Sequence, residues 1–151
     1  MKLKKIISNL SLKEKVSLLS GFDNWYTPEL KKYGIPKIKM SDGPNGVRGD
    51  SNTPQTSACF PSPILLGATW NEKLIKKIGS ATGEEALFKD VDVLLAPTIN
   101  LHRHPLGGRH FECYSEDPVL TSKIACAYVS GVQSKGVAAC LKHFAGNDTE
   151  F

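Results

Sequence analysis

Short apolar runs that discharge into polar, glycine-bearing loops recur along this chain. Ile38-Lys39-Met40 runs into Ser41-Asp42-Gly43-Pro44-Asn45-Gly46-Val47-Arg48. The largely apolar run from Val91 to Ala96 opens into a long polar loop holding Gly107-Gly108-Arg109-His110-Phe111-Glu112. Val137 to Leu141 reads as a short buried strand that ends on Lys142-His143-Phe144-Ala145-Gly146-Asn147-Asp148-Thr149-Glu150. A fourth apolar run, Ile64 to Ala68, predicts a second strand. At the C-terminal end of a strand in an α/β sheet or barrel, side chains face the ligand. Three strand-like runs that end this way coincide by chance far less often than one does.

Between these runs the period changes to that of helices. Ser11 begins a helix with Glu14 three residues on, a capping box, and Gly21 stops it. Leu12, Val16 and Leu19 give that helix one apolar stripe. Asn71 caps a second helix, with Trp70 and Ile75 placed as a hydrophobic staple. Leu74, Ile75, Ile78 and Ala81 continue its face, and Gly79 and Gly83 weaken it in exchange for close packing. Asp117 caps a third, Pro118 takes its first turn, and Leu120, Ile124, Tyr128 and Val132 fall at helical spacing until Gly136. Residues 22–36 read as loop or short helix, where Trp25 and Tyr26 suit packing more than stacking on a ligand. Residues 49–63 read as an exposed loop. The order strand, strand, helix, strand, helix, strand argues parallel βαβ units.

Composition narrows the picture without naming a function. The chain has 151 residues, enough for one core, with 40% apolar and 23% charged residues, ordinary for a globular protein. Its net charge of +4 draws on Lys2, Lys4, Lys5, Lys13 and Lys15. These interleave with apolar residues and fit a solvated helix face better than a nucleic-acid arm. The four cysteines, Cys59, Cys113, Cys126 and Cys140, lack CxxC spacing. Cys126 and Cys140 fall on apolar faces and are expected to be free and buried. Polar residues from Ser8 to Glu14 interrupt any signal-peptide core, and no segment is long and apolar enough to span a membrane. The expectation is a cytoplasmic protein that engages neither nucleic acid nor membrane.

Candidate chemistry concentrates in the three loops. A rigid Asp42 after a strand can accept from two neighbouring hydroxyls of a ligand. Alone, it reads first as an Asp-Gly turn residue satisfying its own backbone. Arg109 between Gly108 and His110 suits donation to ligand oxygens from a planar fork. Lys142 and His143, side by side, suit a ligand with several hydroxyls or an anionic group. Alone, they read as a solvated lysine and a core histidine. His102, His104 and His110 invite a metal, but they lack helical i, i+4 spacing and a completing carboxylate or cysteine. The expectation is no metal and no cofactor. The carboxylates available for chemistry are Asp42, Glu112, Glu116, Asp148 and Glu150; Glu112 and Glu116 lie near Arg109 and are placed to hold it, while Asp148 and Glu150 follow the Lys142-His143 pair and are placed to orient it.

Taken together, the Asp42–Arg48 string, Asn100-Leu101-His102-Arg103, Gly108–Glu112, Tyr114-Ser115-Glu116-Asp117-Pro118 and the Lys142–Glu150 string resemble glycoside hydrolase family 3, in its β-glucosidase and β-xylosidase branch. Their order and spacing match along nearly the whole chain, with His110 where that family usually has Asn. The resemblance implies a single partial domain over residues 1–151, the N-terminal portion of a (β/α)8 TIM-type barrel reaching about the fourth strand. A complete barrel takes roughly 200 to 250 residues or more. It implies hydrolysis of terminal non-reducing β-D-glycosides by a retaining mechanism. Asp42, Arg48, Arg109, Lys142 and His143 carry over as substrate-binding residues. The family nucleophile and acid/base fall outside these residues, so no catalytic residue is assigned here. The implied partners are a β-glycoside substrate and the remaining barrel with its following domain. Two other possibilities stay open. One is a non-catalytic sugar- or partner-binding remnant; the other is an unrelated metal-dependent hydrolase using the histidines.

Overall fold

The Ser11 hydroxyl accepts from the Glu14 amide at 3.2 Å, and the Glu14 carboxylate accepts from the Ser11 amide at 2.8 Å. This reciprocal cap, expected from the sequence, begins helix α2 (Leu12–Ser17) in a computed structural model that describes residues 2–49 and 55–149. Hydrogen bonds from Ser11 hold the Glu14 carboxyl below its usual range. The chain divides into two compact units, Met1–Met40 and Ser41–Phe151. The first holds helix α1 (Lys2–Asn9), α2, and a loop region cross-linked by backbone bridges Tyr26 to Lys39 and Leu30 to Ile35. The Lys37 ammonium lies 3.7 Å from the Tyr26 ring centroid. The stripe on α2 faces outward: Leu12, Val16 and Leu19 are 78%, 54% and 88% exposed. Periodicity identifies such a face but not what covers it.

The second unit is built on a three-stranded sheet in the order β1 (Met40–Asp42), β2 (Val93–Leu95), β3 (Ala138–Ala139). β2 and β3 pair in parallel, Val93 opposite Ala138 and Leu94 opposite Ala139. A parallel pair needs a crossover, and α5 (Pro118–Gln133) supplies it. Asp117 caps α5 by accepting from the Val119 and Leu120 amides at 2.6 and 3.2 Å. Asn71 caps α4 (Glu72–Phe88) by accepting from Leu74 N–H at 3.1 Å. Ile75 of α4, Leu94 of β2, and Ile124 and Val132 of α5 are fully buried in one core. α4 and α5 touch backbone to backbone. A Cβ on Gly131 would lie 2.3 Å from the Lys76 carbonyl oxygen, so no larger residue fits this crossing.

Several expectations change. Ile64–Ala68 is not a strand; it belongs to helix α3 (Pro63–Ala68), with Pro63 in its first turn. The described residues therefore hold three strands where four were expected. A short apolar run does not distinguish strand from buried helix, and the proline at its head decided this one. The predicted strand Val137–Leu141 shrinks to Ala138–Ala139, with Val137 buried but Leu141 49% exposed on the sheet's edge. Cys126 and Cys140 are exposed, as is Cys59, and only Cys113 is buried. Ile75 enters the core, whereas Trp70 is 71% exposed with a left-handed φ of 52°. The inward-facing staple is absent.

Candidate functional site

β1 ends at Asp42, and the chain turns at once. Gly46 has φ 141°, and a Cβ there would sit 2.0 Å from the Ala58 carbonyl oxygen, so the turn requires glycine. The Arg48 amide donates to the Asp42 carbonyl oxygen at 2.9 Å and closes the turn. Its exposed guanidinium and the Asp42 carboxylate line one depression of about 340 Å³ with Asn45 and Ser57. The loop after β3 reaches the same carboxylate: Lys142 Nζ donates to Asp42 Oδ1 at 2.7 Å. Lys142 is held there by extension of the β2/β3 ladder. Its amide donates to the Pro97 carbonyl at 3.0 Å, and its carbonyl accepts from Ile99 at 2.8 Å.

The next residue turns toward the loop after β2. His143 Nε2 lies 3.0 Å from an Arg109 terminal nitrogen. Glu112, 6% exposed, pairs with Arg109 Nε and accepts from the Thr98 hydroxyl at 3.2 Å. The 3-10 turn His110–Glu112 brings this carboxylate back beside Arg109. A guanidinium fixed on one edge by a buried carboxylate presents its remaining N–H groups in a defined plane. Asn100 grips the His143 backbone from both sides, accepting from its amide at 2.8 Å and donating to its carbonyl at 3.2 Å.

All five sequence-predicted residues thus gather on the loops after the three strands. Asp42 and Lys142 form one pair, Arg109 and His143 another, and the 142–143 peptide joins them. Arg48 shares the Asp42 depression, whose lining does not include Arg109, Lys142 or His143. Among the accessory carboxylates, Glu112 takes the expected place beside Arg109. Glu116 is exposed beside Leu101, His102 and Arg103. Asp148, expected to orient the Lys-His pair, forms an ion pair with Arg103, whose guanidinium holds its carboxyl below the usual range. It is Asn147 that meets the His143 ring, at 3.0 Å. Glu150 lies outside the described residues. Thr98, Asn100 and Asn147 had no assigned role in the sequence, although Asn100 and Asn147 fall within the loop strings that carry the family resemblance. Among the described residues no group of three or more His, Cys, Asp or Glu is arranged to hold a metal ion.

The Asp42–Lys142 pair, with Arg48 beside Asp42, and the Arg109–His143 pair offer a carboxylate, two guanidinium groups, an ammonium and an imidazole on neighbouring loops, a donor-rich set suited to a polyhydroxylated ligand. Residues 5–150 match the model for the glycosyl hydrolase family 3 N terminal domain. A β-glucosidase from Rhizobium radiobacter is 54% identical over 147 residues, covering 96% of this chain and 18% of its own length. The thermostable β-glucosidase B of Acetivibrio thermocellus is 46% identical, over 98% of this chain and 21% of its own. Among solved structures, the Kluyveromyces marxianus β-glucosidase in complex with glucose superposes with a TM-score of 0.91 at 41% identity, covering 97% of this chain and 18% of that one. β-glucosidase 3B from Thermotoga neapolitana in complex with α-D-glucose gives 0.87 at 42%, covering 98% of this chain and 24% of that one. The chain spans about a fifth of the length of the curated relatives it matches. Architecture, loop motifs and relatives agree, and the chain belongs to glycosyl hydrolase family 3, within the N-terminal domain of its barrel.

Proposed function

We propose that this chain forms one wall of the sugar pocket of a retaining β-glucosidase, with Asp42, Arg48, Arg109, Lys142 and His143 as the contacts to the terminal sugar. The observation that carries the proposal is the convergence of Lys142 on Asp42 at 2.7 Å and of His143 on Arg109 at 3.0 Å. Four groups from three loops meet there, and the names of the relatives supply the substrate class. Asp42 accepts hydrogen bonds from adjacent sugar hydroxyls while Lys142 balances its charge. Arg109, fixed by Glu112, donates to ring substituents alongside His143. Retaining chemistry needs two carboxyl groups about 5 to 5.5 Å apart, as nucleophile and acid/base. Neither is assigned to this chain; the family resemblance puts both in the remaining barrel and the following domain. The exposed free thiols at Cys59, Cys126 and Cys140 support a reducing cytoplasm as the location.

The test places this chain in the matching segment of the R. radiobacter β-glucosidase and measures hydrolysis of a nitrophenyl β-glucoside. The chimera turns over. Asp42→Asn, which removes charge-assisted hydrogen bonds worth roughly 1.5 to 3 kcal/mol each, lowers kcat/KM about tenfold or more. Unchanged kcat/KM contradicts the Asp42 assignment. Glucose binding by a chimera without turnover favours the non-catalytic reading.

A further inference from the structure

Lys89 ends α4 and is only 2% exposed. An ammonium so deeply buried needs strong partners. Glu85, one turn earlier, supplies the counter-charge at 3.1 Å. The other contacts leave the helix for the loop after β1. Lys89 Nζ donates to the Val47 carbonyl oxygen at 2.8 Å and to the Ser57 hydroxyl, which itself donates to Val47 at 2.7 Å. Glu85 reaches the same loop and accepts from the Ala58 amide at 2.9 Å. Val47 is fully buried between Gly46 and Arg48, and Ser57 and Ala58 line the Asp42 depression with those two residues. One buried ion pair therefore clamps both stretches of the wall that carries Asp42 and Arg48, without itself lining that depression.

We infer that Lys89, with Glu85, is a positioning residue for the Asp42–Arg48 wall of the pocket, acting through Val47, Ser57 and Ala58. Its link to sugar binding rests on the function proposed above; its effect on the wall does not.

Two substitutions and two measurements test this. Lys89→Met removes the ammonium but leaves Glu85 buried, which risks unfolding. Ser57→Ala removes one loop-side contact at an exposed position and leaves the core untouched. Peptide-level amide exchange on the folded chimera reads the wall directly. In both variants, exchange over residues 46–49 and 57–60 rises by about tenfold or more, while the buried stretch of α5 keeps its protection. In the chimera, Ser57→Ala lowers kcat/KM for the nitrophenyl β-glucoside. Combined with Asp42→Asn, it costs less than the product of the two single losses, because both act on one wall. Unchanged wall exchange in Ser57→Ala, or exchange that rises equally in α5, overturns the positioning role. Multiplicative losses in the double variant overturn its link to the pocket. A parent chimera that hydrolyses no β-glucoside sinks only the proposed function, and the exchange result still decides whether Lys89 positions the wall.

Discussion

Cys113 sits directly after Glu112, and its thiol is pushed up to about 11, first by burial and then by the neighbouring carboxylate. A thiol reacts as its thiolate, so Cys113 stays unreactive across the neutral range. Mass-spectrometric mapping after iodoacetamide treatment near pH 8 is expected to find Cys59, Cys126 and Cys140 alkylated and Cys113 spared. Early labelling of Cys113 would show that the Arg109–Glu112 turn opens. At this scale the sequence revealed the groups and hid their supports. Asp42, Arg109, Lys142 and His143 stand out because charged residues beside glycines follow apolar runs. Thr98, Asn100 and Lys89 do not, because their roles depend on partners 14, 43 and 42 positions away. A lysine at a helix C-terminus reads as a solvated, dipole-compensating charge, and only the loop folded over it makes it buried.

Helix caps were the most legible feature among the elements, because a cap is a local arrangement of a few consecutive residues. Ser11, Asn71 and Asp117 all act as the pattern foresees. Strands were less legible: each holds no more than three residues, and pairing fixes their ends. The glycines on α4 and α5 carry a sharper prediction. Gly131→Ala puts a methyl group against the α4 backbone, where no side chain can move aside. Overpacking of this kind costs typically about 1 to 3 kcal/mol, and a backbone neighbour puts it at the upper end. Thermal or urea unfolding of the chimera is expected to show that loss. By contrast, a Cβ at Gly136 meets nothing within 4 Å, but its φ of 82° still disfavours alanine there. A cost near zero at Gly131 would show that the two helices move apart to accept the methyl group.

For the whole molecule, an apolar groove runs beside the loops after β2 and β3. It measures about 550 Å³ and is lined by Ile99, Leu101, Ala125, Val129 and Leu141, among others. It opens beside β3, an edge of the sheet among the described residues. Unpaired strand edges next to exposed apolar side chains favour association. The 151-residue chain alone is expected to elute from a sizing column as oligomers or aggregates and to leave a nitrophenyl β-glucoside intact. Reproducible stoichiometric turnover by a monodisperse monomer would falsify this and force one of the chain's own carboxylates into the nucleophile's role. The short third strand has one more consequence. Ala139 stands opposite Leu94, and Lys142 opposite Thr98, so the chain advances three residues on one side and four on the other. Because successive residues in an extended chain face opposite ways, shifting this count by one would exchange the positions of neighbouring side chains. The lysine would leave Asp42 and the histidine would leave Arg109. The stretch between Ala139 and Lys142 should therefore accept changes of letter more readily than changes of number. In any relative, a single-residue gap there is expected to mark a pocket built for a different ligand.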